Sequence, residues 1–291
     1  MKRKTSIALL TLIVASCLLS CTLPGNTQPP VSLRIFWARS NGAGSFDIRR
    51  ADLADPANTA ITIVSGLTYR PEELTVDSTG NKLYWTDYDN YNKILCSNLD
   101  GTGVQTVVSV AGNPVYDCAV DSERGHLYWN EGKMIRRGNL DGSGAQDVYE
   151  NLGTYVLYLS LDSQSGRIYF HPGTTIMRVN TDGTGPLMVC TASIQRGMDI
   201  DAFNKIIFWV QDLSRQGFEQ ADLDGENKTL IDIGENPNKG FTVDPNGFIY
   251  YGVFGDPADS ISRCTFAGTG ITPVITEEDG YDIHSIAIEF E

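Results

Sequence analysis

The side chains of this 291-residue chain that could do chemistry are three histidines, six cysteines and a recurrent set of aspartates. Three histidines are too few for a metal or proton-transfer centre. His126 falls in a turn before an aromatic segment, where solvent exposure is expected, and His171 falls within such a segment, where packing is expected. His284 lies near the C-terminus and is the one worth testing. Asp222-Leu223-Asp224-Gly225 matches part of a calcium loop. An EF-hand, however, needs a bidentate Glu at its twelfth position, where this chain has Ile231. No G-x-S-x-G elbow presents a serine nucleophile, and no Gly-rich loop with a following Lys cradles a phosphate. The residue types predict no catalytic centre, no cofactor and no resident metal.

The elements that carry these residues begin with a segment that does not belong to the folded domain. Lys2, Arg3 and Lys4 precede the apolar run from Ile7 to Leu19. Thirteen residues are too few to span a bilayer, which takes roughly 20, so residues 1–20 read as a signal peptide. The run ends in Leu18-Leu19-Ser20-Cys21, which resembles the bacterial lipobox and makes Cys21 the expected lipid-attachment site. Two or three acyl chains on one residue anchor firmly, at about 0.8 kcal/mol per buried CH₂. Residues 21–32, with Pro24, Gly25, Pro29 and Pro30, read as a polar tether. The expected location is the bacterial cell envelope, held through lipid and sorted to the outer membrane.

Removing residues 1–20 takes the formal charge from −14 to −17, because Lys2, Arg3 and Lys4 are the only charges lost. Such a surface repels phosphate backbones, so no nucleic-acid partner is expected. Cys96, Cys118, Cys190 and Cys264 of the body match no metal spacing, and the register developed below places them in different repeats. Disulfides need Cα atoms within about 7 Å, so free, buried thiols are expected.

The body, residues 33–291, is repetitive, which is the first thing to settle in any chain. Short alternating segments ending in an acid recur as Leu74-Thr75-Val76-Asp77, Cys118-Ala119-Val120-Asp121, Leu159-Ser160-Leu161-Asp162, Met198-Asp199-Ile200-Asp201 and Phe241-Thr242-Val243-Asp244. Ile286-Ala287-Ile288-Glu289 is a sixth copy. After each acid comes a polar turn and then an aromatic pair. The pairs are Phe36-Trp37, Tyr84-Trp85, Tyr128-Trp129, Tyr169-Phe170, Phe208-Trp209 and Tyr250-Tyr251. A third strand follows, then Asp-Gly at 100–101, 141–142, 182–183 and 224–225, read as tight two-residue hairpins. A short fourth strand completes the unit, and no helix is expected.

Four antiparallel strands in about 40–45 residues is the arithmetic of a propeller blade. A lone four-stranded sheet leaves its faces wet, so blades must stack around an axis. The repeated acids are expected to be structural, each accepting backbone N–H bonds in the turn that follows it. The first repeat starts at its aromatic strand, Arg34 to Ala38, and lacks the strand before it. The last residues, 286–291, supply that strand. The fold class expected is all-β: a six-bladed propeller whose first blade is completed by the C-terminal strand.

Tyr84-Trp85-Thr86-Asp87, followed by Ile94 and Asn98-Leu99-Asp100-Gly101-Thr102, resembles the YWTD repeat of low-density-lipoprotein receptor class B. Tyr128-Trp129-Asn130-Glu131 is close to it, and Tyr169-Phe170-His171-Pro172 is degenerate. The resemblance covers residues 33–291 and implies a six-bladed propeller that recognises protein or peptide, without a catalytic centre.

In such a fold the loops from strand 2 to strand 3, and from strand 4 to the next blade, gather on one face around the channel. On those loops Tyr and Arg are what interface hot spots favour. The candidate ligand face is Glu72, Tyr88, Tyr91, Tyr116, Tyr155, Arg196, Lys239 and His284. The expected function is a non-catalytic, monomeric envelope lipoprotein binding a protein, peptide or glycan through this face. The alternative is a lactonase-like propeller hydrolase or lyase with a channel metal. That reading needs unlike Glu, Asn, Asp or His ligands converging on the axis, and no such set is evident in the sequence.

Overall fold

The computed structural model describes residues 32–40, 44–90, 92–150, 153–194, 196–210, 216–254, 259–278 and 281–290. The leader, Cys21 and nearly all of the tether lie outside them. The described strands form six four-stranded antiparallel sheets. Their inner strands are Asp282–Phe290, Pro71–Asp77, Cys118–Asp121, Tyr158–Asp162, Met198–Asp201 and Pro237–Asp244. Each inner strand neighbours the next around a closed ring. The C-terminal strand pairs with Ser32–Ser40 in a register that sets Trp37 opposite Ile286 and Ile35 opposite Ile288. It begins at Asp282, earlier than the repeat alone suggests, and a register shift between Ala38 and Arg39 accommodates the extra length.

Adjacent residues on a strand point to opposite faces of the sheet, and this explains the aromatic pairs. All twelve rings are at most 2 % exposed, and the two rings of each pair enter different clusters. The first ring of a blade packs with the second ring of the next: Phe36 with Trp85, Tyr84 with Trp129, Tyr128 with Phe170, Tyr169 with Trp209, Phe208 with Tyr251, and Tyr250 with Trp37. The last pairing joins blade 6 to blade 1. The seam there also buries charge: Glu277 accepts from the Trp37 indole and pairs with Arg39 and Arg49, the latter at 3.0 Å.

The repeated acids do what their position predicts. Asp77, Asp121, Asp162, Asp201 and Asp244 are buried. They accept backbone N–H bonds from Gly80 (2.9 Å), Arg124 (3.2 Å), Ser165 (3.1 Å), Asn204 (2.9 Å) and Asn246 (2.7 Å). Asp222-Leu223-Asp224-Gly225 is likewise a turn, closed by Gly225 N–H to Asp222 O at 2.8 Å.

Five expectations need correction. One helical turn, Pro56–Thr59, interrupts the hairpin of blade 1; none of its residues is buried, so it covers no core face. The Asp-Gly connections are longer than two residues, since strand 3 of blade 2 ends at Asn98 and strand 4 starts at Gln105. Gly101 there has φ +84°, and a Cβ on it would sit 1.9 Å from the Ile63 carbonyl oxygen, so the glycine also lets the turn dock on the preceding blade. His126 opens the strand His126–Glu131 half-buried, edge-on to Tyr128, rather than lying in solvent. Cys190 is only half-buried, whereas Cys96, Cys118 and Cys264 are buried as expected; all four are free. The inner strands also bring acids to the axis, as described next.

Candidate functional site: the channel mouth

The channel runs between the six inner strands and encloses about 300 Å³. Three carboxylates stand in its wall, Glu73 from blade 2, Asp117 from blade 3 and Asp199 from blade 5. Sequence reasoning expects no acids there and misses them, because axial convergence depends on which inner-strand residues share a level. Asp199 is a staple. Its oxygens accept from Ser160 Oγ (3.1 Å), Thr242 Oγ1 (3.1 Å) and the N–H groups of Ile200 (2.8 Å) and Val243 (3.1 Å). Asp117 accepts from Leu159 N–H at 2.7 Å, tying blade 3 to blade 4.

Burial is the main force on the acidity of these groups, because charge is costly away from water. It pushes Asp117 up to about 8 against the pull of the Leu159 and Cys118 N–H groups, with the Asp199 charge adding to the rise. Burial also raises Asp199, opposed by its four hydrogen bonds. Glu73 is held well above the usual carboxylate range, first by burial and then by the charges of Asp117, Glu72 and Asp199.

Beside the channel lies a second pocket of about 220 Å³, lined by Glu72, Glu73, Tyr88, Tyr116, Leu157 and Tyr158. Glu73 belongs to both cavities. It sits at an irregularity of the inner strand, where pairing skips between Glu72 and Thr75, and has φ +43°. A bulge of this kind re-aims a side chain.

In blades 2 and 3 the residue after the aromatic pair holds the loops that carry this pocket. Thr86 Oγ1 donates within reach of the Glu72 carbonyl (3.1 Å) and the Tyr116 carbonyl (3.3 Å). Asn130 Oδ1 accepts from the N–H groups of Tyr116 (2.7 Å) and Asp117 (3.0 Å), and its Nδ2 donates to Val156 O at 2.8 Å. His171 is fully buried with Nε2 3.2 Å from Ala192 O, and burial lowers its pKa. It is a packing residue, as the sequence suggests. Tyr88 is fixed by its N–H to Arg70 O at 3.0 Å, while the Arg70 guanidinium lies 3.3 Å from the Tyr88 ring centre and 3.3 Å from Glu72 Oε2.

The structure therefore joins Glu72, Tyr88 and Tyr116 in one pocket. Tyr155, 45 % exposed, stands at its rim, close enough to Tyr116 to raise that phenol's pKa, though burial is the larger cause. Arg196 faces Tyr158, whose pKa is raised by burial and then by Glu73. His284 does not open on the mouth; it is buried on the C-terminal strand, its ring 5.7 Å from that of Phe46. Tyr91 and the side chain of Lys239 lie outside the described residues. Tyr158, Glu73 and Asp117 are not among the candidate residues, and nothing in their sequence context singles them out.

No family model matches the chain. It is 31 % identical over 97 residues to low-density lipoprotein receptor-related protein 1 of Pyricularia oryzae, covering 29 % of this chain and 31 % of that one. It is 35 % identical over 69 residues to low-density lipoprotein receptor-related protein 5 of Mus musculus, covering 24 % of this chain and 4 % of that one. The chain thus spans less than a third of the length of either. Among solved structures, a chain of the nidogen/laminin complex superposes with a TM-score of 0.73 at 16 % identity, over 88 % of this chain and 97 % of that one. TolB from Acinetobacter baumannii gives 0.68 at 12 % identity (88 % and 66 % covered). The gluconolactonase XC5397 from Xanthomonas campestris gives 0.60 at 17 % identity (90 % and 89 % covered). These likenesses establish the fold alone. Together with the closed ring of sheets, they make the chain a six-bladed β-propeller with repeats like those of low-density-lipoprotein receptor-related proteins.

Proposed function

We propose that this protein is a lipid-anchored component of the bacterial cell envelope whose propeller is a non-catalytic module for binding a protein or peptide. The observation that carries this reading is the channel mouth. Three consecutive blades bring Glu72, Glu73, Tyr88, Tyr116 and Tyr158 to one pocket on loops clamped by buried side chains. Aromatic residues held on a rigid scaffold are suited to binding. The likeness in fold to a chain of the nidogen/laminin complex supports the use of such a ring in protein–protein contact. No helix among the described residues is long and apolar enough to cross a membrane, so membrane attachment in this reading rests on Cys21.

The test is capture of a partner from envelope extract by wild-type protein and by the Tyr88→Ala/Tyr116→Ala variant. Loss of the partner with the fold intact supports the reading, and equal capture refutes it. Cys21→Ser should move the protein out of the membrane fraction.

The three channel carboxylates and the likeness in fold to a gluconolactonase favour the enzymatic alternative. Against it, Asp199 and Asp117 spend oxygens on neighbouring strands. Among the described residues, no group of three or more His, Cys, Asp or Glu is placed to hold a metal ion. A stoichiometric divalent ion in purified protein would turn the balance toward the enzyme.

A further inference from the structure

The pocket at the channel mouth has a size and a chemistry that narrow its occupant. At about 220 Å³ it falls below the roughly 300–1,000 Å³ that enclose a whole small ligand, so one side chain is the natural fit. Its walls are the rings of Tyr88, Tyr116 and Tyr158, whose faces carry negative potential and attract cations. The rim already uses this chemistry internally, because the Arg70 guanidinium lies between the Tyr88 ring and Glu72, 3.3 Å from each. Glu73, in the same pocket, has no basic partner among the described residues. Its left-handed backbone, φ +43°, is one that only glycine adopts freely, yet a glutamate is held there with its carboxylate where pocket meets channel.

We propose that this pocket takes the basic side chain of a lysine or arginine on the partner, with its stem against the three tyrosines and its charged end on the Glu73 carboxylate. The inference deepens the reading of the mouth as a binding face and rests on it. The titratable groups that face Glu73 are mostly acids. Glu72 lies beside it on the same strand, Asp117 comes from blade 3 and Asp199 from blade 5. Tyr158 comes from blade 4, and Arg196, from the connection into blade 5, faces that tyrosine. Among the described residues, the basic groups facing these are Arg70, matched to Glu72, and Arg196. Burial first, and then the crowded acids at the head of the channel, favour a protonated Glu73 when the pocket is empty. An arriving cation favours the ionised form, so binding releases a proton to solvent and strengthens as the pH rises.

The experiment titrates the full chain with acetyl-Gly-Lys-Gly-amide and with its arginine and norleucine counterparts, followed by ligand-observed NMR. Norleucine keeps the stem and removes the charge. The lysine and arginine peptides should bind about tenfold or more tightly than norleucine, as one desolvated charge contact would give. Glu73→Gln should bring lysine down to the norleucine level and leave norleucine unchanged. Lysine affinity should rise with pH, by up to about tenfold per pH unit while Glu73 is protonated in the empty pocket, as release of one proton predicts. Norleucine binding as well as lysine would overturn the inference. Undiminished lysine binding to Glu73→Gln would overturn it too, by placing the cation elsewhere on the acidic surface. If Glu73→Gln fails to fold, the peptide series on wild type decides alone. If the peptides show no charge preference while Tyr88→Ala/Tyr116→Ala still loses its envelope partner, the binding face stands and cation recognition falls. If the double variant also keeps its partner, both fall.

Discussion

Trp129 and Trp209 occupy equivalent places in blades 3 and 5, each on the second strand, and both are at most 1 % exposed. Their indole nitrogens differ. Trp209 Nε1 donates to Glu219 Oε2 at 2.9 Å, whereas Trp129 Nε1 is buried without an acceptor. Replacing either by Phe removes apolar surface worth about two methylenes, roughly 1–2 kcal/mol. At Trp129 the change also deletes an unsatisfied donor, whose burial costs about 1–3 kcal/mol, so the two effects nearly cancel. At Trp209 it deletes a hydrogen bond to a charged acceptor, worth about 1.5–3 kcal/mol. Glu219 then loses a donor and keeps Lys228, 3.0 Å away, as a charged partner. Trp129→Phe should therefore lie within about 1 kcal/mol of wild type, and Trp209→Phe should cost about 3–5 kcal/mol. Equilibrium urea unfolding measures both, with equal m-values required before the midpoints are compared. A difference below about 1 kcal/mol would show that area alone governs the ring. Trp129→Ala, which removes the whole ring, should cost about 3–5 kcal/mol.

Three further perturbations probe closure, turns and the channel. Deleting Asp282–Phe290 strips Ser32–Ser40 of its inner partner and should produce aggregates in size-exclusion chromatography, because it creates an open sheet edge; a stable monomer would refute closure. Gly101→Ala meets the Ile63 carbonyl, whereas Gly66→Ala, also at positive φ, meets open space. The first should cost at least about 2 kcal/mol more in thermal unfolding, the strain of opening a close-packed contact. Asp117 is protonated in the folded state up to about pH 8, whereas unfolded Asp titrates near about 3.9. Its contribution is present in full below about pH 4 and is lost as the pH rises toward 8. Asp117→Asn should make the fall in Tm between about pH 5 and 9 shallower, and an unchanged slope would remove Asp117 from the balance.

The architecture is legible in the sequence because each of its devices is local and repeated. An acid closes its own turn within three residues, and an aromatic pair faces both ways by strand geometry. Each device therefore leaves a mark at a fixed spacing. What escapes is whatever depends on relations between blades. The helical turn at Pro56–Thr59 breaks the blade pattern without touching the core. The docking of Gly101 on Ile63 O follows from how two blades approach, and the spacing of Asp100-Gly101 shows only a turn. Asp117 and Asp199 read as ordinary strand residues until the ring closes and sets them at the axis. Glu73 is harder still, since a skip in strand pairing decides which way its side chain turns. Of the candidate face, Glu72, Tyr88 and Tyr116 come together because their loops are near neighbours around the ring. His284, chosen by the same register, sits on the strand that closes blade 1 and is packed against Phe46.

The ring is sixfold in its core but not at its mouth. The residue after the aromatic pair is Thr86, Asn130 and His171 in blades 2, 3 and 4, each buried and hydrogen-bonded to a loop. In blades 5, 6 and 1 it is Val210, Gly252 and Ala38, which have no polar side-chain atom to offer. Clamping by the residue after the aromatic pair is thus found in the blades that supply Glu72, Glu73, Tyr88, Tyr116 and Tyr158, whereas the seam of blades 6 and 1 is held by other groups, such as Asp259, which accepts from Ile283 N–H at 3.0 Å. Departures from local regularity that coincide with one pocket, including a glutamate at φ +43°, are what a site imposes on a scaffold. The sector from blade 2 to blade 4 is where a partner should be sought, and the opposite sector, with its apolar third positions, is where substitutions should leave binding untouched.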